Sequence, residues 1–177
     1  MRSVTACSNR QCRQHQGDGK PQGMTVELMP DEVLLCEILG RLRSIVARSA
    51  AVTDRKMGDQ DGRSADVMGL KGEYAFAKCF NTFPDLGLAP RSGSADGILK
   101  GFRYDVKATE YKHGQLLATQ KINPDIDIYV LCIVTGSTVD IKGYSTKENF
   151  INPSNLKDLG HGEGYAMQQD SLQSFKV

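Results

Sequence analysis

From Ile126 to Val134 the chain reads Ile-Asp-Ile-Tyr-Val-Leu-Cys-Ile-Val. Side chains alternate across a strand, so a half-exposed strand would show a polar residue at every second place. This segment does not. Its β-branched and aromatic content, and the turn residues Gly136-Ser137 after it, favour a strand over 126–135 covered on both faces. A strand of that kind cannot sit in an isolated hairpin. It requires a layer above and a layer below, which sets the fold class as α/β or α+β, with helices packed on a central sheet.

The remaining segments supply those layers. Pro30-Asp31-Glu32 opens a helix, since proline fits a first turn and the acids complement the positive helix end. Val33, Leu34, Ile38, Leu42, Ile45 and Val46 recur at helical spacing and predict one amphipathic helix over 31–50 with these side chains inward. Residues 53–64 are polar and contain glycine, the composition of an exposed loop. A second helix is expected over 65–81, with Val67, Leu70, Tyr74, Ala77 and Cys79 or Phe80 on its buried stripe. After Pro84 the period changes. Strands are predicted at 94–99, 102–109 and 115–119, with Lys100-Gly101 as the tight turn between the first two. Residues 138–144 form the next strand, 146–150 a short helix, 160–164 a loop and 165–169 a final edge strand.

At 177 residues and near-neutral charge, 22 basic against 21 acidic side chains, the chain has the size of one domain. Residues 1–23 stand apart: four basic residues against one acidic, and almost no large apolar groups. They are expected to be flexible or disordered, with residues 24–177 as the folded domain and Met24 as an alternative start. Cys7, Cys12 and His15 superficially suggest zinc, but a fourth ligand is missing. No apolar run reaches the roughly 20 residues of a membrane helix, and no secretion signal opens the chain, so no membrane partner is expected. The five cysteines are odd in number and scattered. They fit a cytoplasmic protein with reduced thiols, Cys36, Cys79 and Cys132 acting as small core residues.

The chemistry concentrates in Ser94–Thr109. On a strand over 102–109, Asp105 and Lys107 share one face while Tyr104 and Val106 share the other. Asp96 stands across the short hairpin and can reach the same patch. Two hard oxygen ligands beside an ammonium suit Mg²⁺, with Mn²⁺ as a substitute, and the metal would retain several waters. Such a cation lowers the pKa of bound water and stabilises charge on a phosphate in transfer. Lys107 could orient the attacking water or neutralise that charge. Gly69-Leu70-Lys71-Gly72-Glu73 sets Glu73 in the second helix, where two glycines allow close approach to the sheet.

A Gly-x-x-Gly-Glu helix, then a hairpin with Asp96, eight residues, and Asp105-Val106-Lys107, resembles the PD-(D/E)XK nuclease superfamily. The likeness spans residues 66–145, and more loosely the chain is similar to small nucleases of bacteriophages and mobile elements. It departs in having Ala95 where a proline precedes the first acid. The resemblance implies a restriction-endonuclease-like core, a central mixed sheet flanked by helices in αβββαβ order. It implies catalytic roles for Asp96, Asp105 and Lys107, Glu73 as a supporting ligand, and the Val106 carbonyl as a further metal ligand. The expected activity is metal-dependent phosphodiester hydrolysis of nucleic acid, with DNA as substrate and internal cutting. The alternative is the same fold gripping nucleic acid or protein without cutting.

Charge distribution agrees with a phosphate partner. Residues 67–121 hold eight basic against five acidic residues, and residues 122–177 hold four against seven. Lys71, Arg103, Lys112 and Arg63 are the candidate backbone contacts, with Arg55, Lys56, His113 and Gln115 nearby in sequence. A homodimer is compatible with duplex cutting. His15, His113 and His161 occupy no recognisable motif, and Gly160–Gly164 lacks the lysine of a phosphate-binding loop.

Overall fold

The structure, a computed structural model, describes residues 12–14, 23–50, 62–88, 94–160 and 162–175. The elements are β1 (Cys12–Gln14), β2 (Met24–Glu27), α1 (Pro30–Ser49), α2 (Gly62–Cys79), β3 (Gly97–Leu99) and β4 (Phe102–Thr109). After these come β5 (Leu116–Thr119), β6 (Ile128–Thr135), β7 (Thr138–Thr146), the one-turn α3 (Lys147–Phe150), β8 (Leu156–Asp158) and β9 (Glu163–Met167). It is a mixed α/β architecture. A six-stranded sheet runs in the order β1-β2-β7-β6-β4-β3, and a smaller sheet runs β5-β9-β8. Within the large sheet only β4 and β6 are parallel neighbours.

The apolar run is the centre of the molecule. Every β6 side chain from Ile128 to Val134 is buried. Ile128, Val130, Cys132 and Val134 join a core beneath α2 with Ala75, Phe76, Tyr104 and Val106. Tyr129, Leu131 and Ile133 join a second core on the opposite face with Leu116, Ala118, Ile126, Phe150 and Leu172. The two-sided cover inferred from composition is therefore present, but its materials differ from the expectation. Helices cover one face; the small sheet and α3 cover the other. The αβββαβ order would place a helix between the third strand and the next. Residues 120–127 hold no helix, and the crossover from β4 to its parallel neighbour β6 instead carries β5 into the small sheet.

The face α1 turns inward also differs from the expected stripe. Cys36, Gly40 and Ser44 are its buried residues. A Cβ at Gly40 would lie 2.7 Å from the Val67 Cα, so the two helices approach to backbone contact there. Such an approach requires small side chains at the crossing, and these recur every four residues. The bulky stripe Leu34, Ile38, Leu42 and Ile45 is thereby rotated outward and is exposed.

Four short features lay outside the sequence reading. β2 pairs antiparallel with β7, and β1, drawn from the segment expected to be loosely attached, pairs with β2. β8 forms an edge of the small sheet. Cys12 and Cys79, expected as thiols, are joined as a disulfide with their Cα atoms 5.6 Å apart, because β1 lies beside the end of α2. Cys36 and Cys132 are buried free thiols. Residues 51–61 lie outside the described residues, as do Cys7 and His15. Among the described residues no helix is long and apolar enough to cross a membrane.

Candidate functional site: the β3–β4 hairpin

The hairpin forms at the predicted turn. Lys100 and Gly101 have φ of 52° and 90°, the sign pattern of a type I′ turn, whose twist matches that of the flanking strands. Leu99 faces Phe102, Ile98 faces Arg103 and Gly97 faces Tyr104. Gly97 has a steric reason: a Cβ there would meet the Tyr104 hydroxyl at 2.3 Å. With Gly97 seated over the tyrosine ring, Asp96 is drawn against β4. Its backbone N–H donates to the Tyr104 carbonyl at 2.9 Å. Its carboxylate Oδ2 accepts the Val106 N–H at 2.7 Å.

That second bond has a geometric consequence. The N–H and C=O of one strand residue point to the same side. The Val106 carbonyl therefore points to the sheet edge where Asp96 sits, beyond the Gly97–Tyr104 pair where β3 begins. Asp96 and the Val106 carbonyl share this edge.

Asp105 and Lys107 flank the same peptide. Lys107 Nζ lies 2.8 Å from Asp105 Oδ1, with side chains 38% and 23% exposed. They pair across β4–β6 with Leu131 and Tyr129 and so lie on the face away from α2. The proximity of Asp105 adds to burial in pushing the Tyr129 hydroxyl up to about 12. Arg103 is on the same face of β4. Its Nη1 pairs with Asp125 at 3.1 Å, and its backbone N–H donates to Asp127 Oδ2 at 2.7 Å.

Glu73 is on the other face. Gly72 brings α2 to the sheet, where a Cβ would lie 2.9 Å from the Ala108 Cβ. Glu73 then meets Arg43 of α1, Oε2 to Nη1 at 3.1 Å, both side chains 14% exposed. Arg43 also donates to the carbonyls of Gly87, at 3.0 Å, and Asp85. Burial raises the Tyr104 hydroxyl, and the charges of Asp96 and Glu73 raise it further. Glu73 thus faces the Tyr104 side of the hairpin, while Asp105 and Lys107 face the Tyr129 side. Among the described residues no group of three or more His, Cys, Asp or Glu side chains is arranged to hold a metal ion.

The four candidate backbone contacts are dispersed. Arg103 belongs to the hairpin. Lys71 Nζ donates to the Gly136 carbonyl at 3.1 Å, at the β6–β7 turn. Lys112 is exposed in the loop after β4, where its carbonyl accepts from Gln169. The Arg63 side chain lies outside the described residues.

Sequence reasoning missed three participants. Arg43 interrupts the apolar pattern of α1, and a charged residue on an inward face is the signal that could have revealed it. Ile98 and Phe102, 62% and 57% exposed, put apolar side chains on the hairpin beside Arg103. No family model, no curated protein and no solved structure matches the chain.

Proposed function

We propose that the chain is a metal-dependent nuclease that hydrolyses phosphodiester bonds of DNA, built on a variant of the restriction-endonuclease-like core that lacks the helix between its third and fourth strands. The observation that supports it most is the Asp96–Val106 hydrogen bond, which draws the first acid to the peptide between Asp105 and Lys107. The proposed donor set is the Asp96 and Asp105 carboxylates and the Val106 carbonyl. It consists of oxygen alone, which fits Mg²⁺ or Mn²⁺, with waters completing the shell. When bound, the cation would lower the pKa of a water and offset charge on the phosphate.

The chain's own residues have the following parts. Asp96 is held in place by the Val106 amide, which donates to its Oδ2. Asp105 sits across that peptide and supplies the second carboxylate. Lys107, held at Asp105, places an ammonium where an attacking water or a phosphate oxygen would stand. Arg103 offers a planar cation to the neighbouring phosphate. Glu73, paired with Arg43 on the Tyr104 side of the hairpin, is the supporting acid of this reading.

One observation favours a second reading, the same domain binding nucleic acid without cutting it. The Lys107 ammonium is already paired with Asp105, the second of the two acids, at 2.8 Å. A cleavage panel separates the two: supercoiled plasmid, linear duplex, single-stranded DNA and RNA, each with Mg²⁺, Mn²⁺ or EDTA. Metal-dependent nicking or cutting supports the nuclease. Retention of DNA on the protein with no turnover in either metal supports the binding module.

A further inference from the structure

The outer face of α1 carries a continuous apolar seam. Leu34, Ile38, Leu42 and Ile45 are 56%, 49%, 38% and 52% exposed. With the half-buried Leu35, positions 35, 38, 42 and 45 follow the alternating three- and four-residue spacing of a helix–helix seam. Four branched or long aliphatic side chains in one exposed row are more than a scattering of surface residues. The inner face of the same helix is already engaged with α2 through Cys36, Gly40 and Ser44. The sequence outside the described residues offers no partner row. Its larger apolar side chains are Met1, Val4, Val52, Met57 and Val177 alone.

We infer that α1 pairs with the α1 of a second copy of this chain, antiparallel about a two-fold axis. The charges along the helix identify that occupant. Asp31 and Glu37 stand toward the start of α1; Arg41 and Arg48 stand toward its end. A helix polar in this sense is complementary to its own reverse. Antiparallel pairing about the helix midpoint sets Leu34 opposite Ile45 and Asp31 opposite Arg48 of the other copy. It also sets Ile38 opposite Arg41 and beside Leu42, with Glu37 near that arginine. Each pairing occurs twice, as an isologous interface requires. A parallel pair would juxtapose Asp31 with Asp31 and Arg48 with Arg48, which like-charge repulsion disfavours. The inference does not depend on the hairpin chemistry, since no residue of the seam lies in it.

The test is sedimentation velocity on the full chain, with circular dichroism and thermal melts as the folding control. Wild type is expected to sediment as a dimer at micromolar concentration. Ile38→Glu and Leu42→Glu, each at an exposed position, should remain folded and weaken self-association by at least about tenfold. Arg48→Asp should weaken it less, and Arg48→Asp with Asp31→Arg should restore it, which only pairing of identical helices in this orientation predicts. A wild-type monomer at tens of micromolar overturns the inference. So does a dimer indifferent to Ile38→Glu, or a double charge swap that fails to restore association lost on the single one.

Discussion

The Asp96 carboxylate accepts the Val106 N–H at 2.7 Å, so the first acid of the hairpin is fastened to the backbone between the second acid and the lysine. A hydrogen bond from an amide to a charged carboxylate contributes about 1.5–3 kcal/mol. Asp96→Ala should therefore lower stability by about 2 kcal/mol, read from chemical denaturation. Asp96→Asn retains an acceptor oxygen and should cost less. Both should abolish cleavage, so activity and stability will part company in the asparagine variant.

Lys107 and Asp105 form a partly exposed pair at 2.8 Å. Exposed ion pairs contribute about 1 kcal/mol or less. Lys107→Met should consequently leave the unfolding midpoint almost unchanged, while cleavage falls by roughly 100-fold or more, the usual scale for losing a preorganised charge-stabilising group. A large stability loss with only a small rate loss would make the pair structural.

Arg43 is a different case. It holds Glu73 at 3.1 Å and binds the Gly87 and Asp85 carbonyls, in a region where both charged side chains are mostly buried. Removing one member of a buried pair strands the other, and Arg43→Ala should destabilise by about 3 kcal/mol. Arg43→Ala with Glu73→Gln should recover part of that loss. A double-mutant cycle with no coupling between the two would show that the pair is not structural.

Alkaline pH should destabilise the protein progressively. Burial pushes the Cys36 thiol up to about 11 from 9.0 and the Tyr129 hydroxyl up to about 12 from 10.0. Each raised group holds its proton more tightly in the native state than in the unfolded chain. Its contribution is complete below the unfolded pKa and is lost as pH rises through the folded one. Stability should thus fall progressively between pH 9 and 12. Tyr129→Phe should flatten the upper part of that decline, which pH-dependent denaturant titration would reveal.

The Cys12–Cys79 disulfide closes a loop of sequence separation 67. Loop-closure entropy gives such a bond about 4 kcal/mol, an upper expectation since native strain and unfolded-state structure reduce it. Reductant, or Cys12→Ser, should lower the melting temperature. Denatured, unreduced protein should release two fewer thiols than the reduced chain.

Local rules made the hairpin readable. The turn pair Lys100-Gly101 and the two-residue period placed β4 over Phe102–Thr109, and the same register brings Asp96 to the peptide between Asp105 and Lys107. The β6 burial was equally legible, because seven consecutive buried side chains leave no polar alternation to misread. The inward face of α1 was not. Hydrophobicity favours burying Leu34, Ile38, Leu42 and Ile45, but the contact at Gly40 and Val67 rewards small side chains, and only the partner helix decides between the two. The pairing of Glu73 with Arg43 was not legible for a similar reason. The two are 30 residues apart on different helices, and no period in either segment relates them. Strands of three or four residues such as β1, β2 and β8 are too short to show a period at all.

Asp96, Asp105 and Lys107 are expected to act together in metal-dependent cleavage. Single-turnover cutting of duplex DNA by wild type, Asp105→Asn and Lys107→Met, in Mg²⁺, Mn²⁺ and EDTA, tests this joint action most directly, with matched melting curves as control. Wild type should cut in either metal and not in EDTA, and both folded variants should lose cutting. Cutting that persists in folded Asp105→Asn, or wild type that cuts no nucleic acid in either metal, would contradict it.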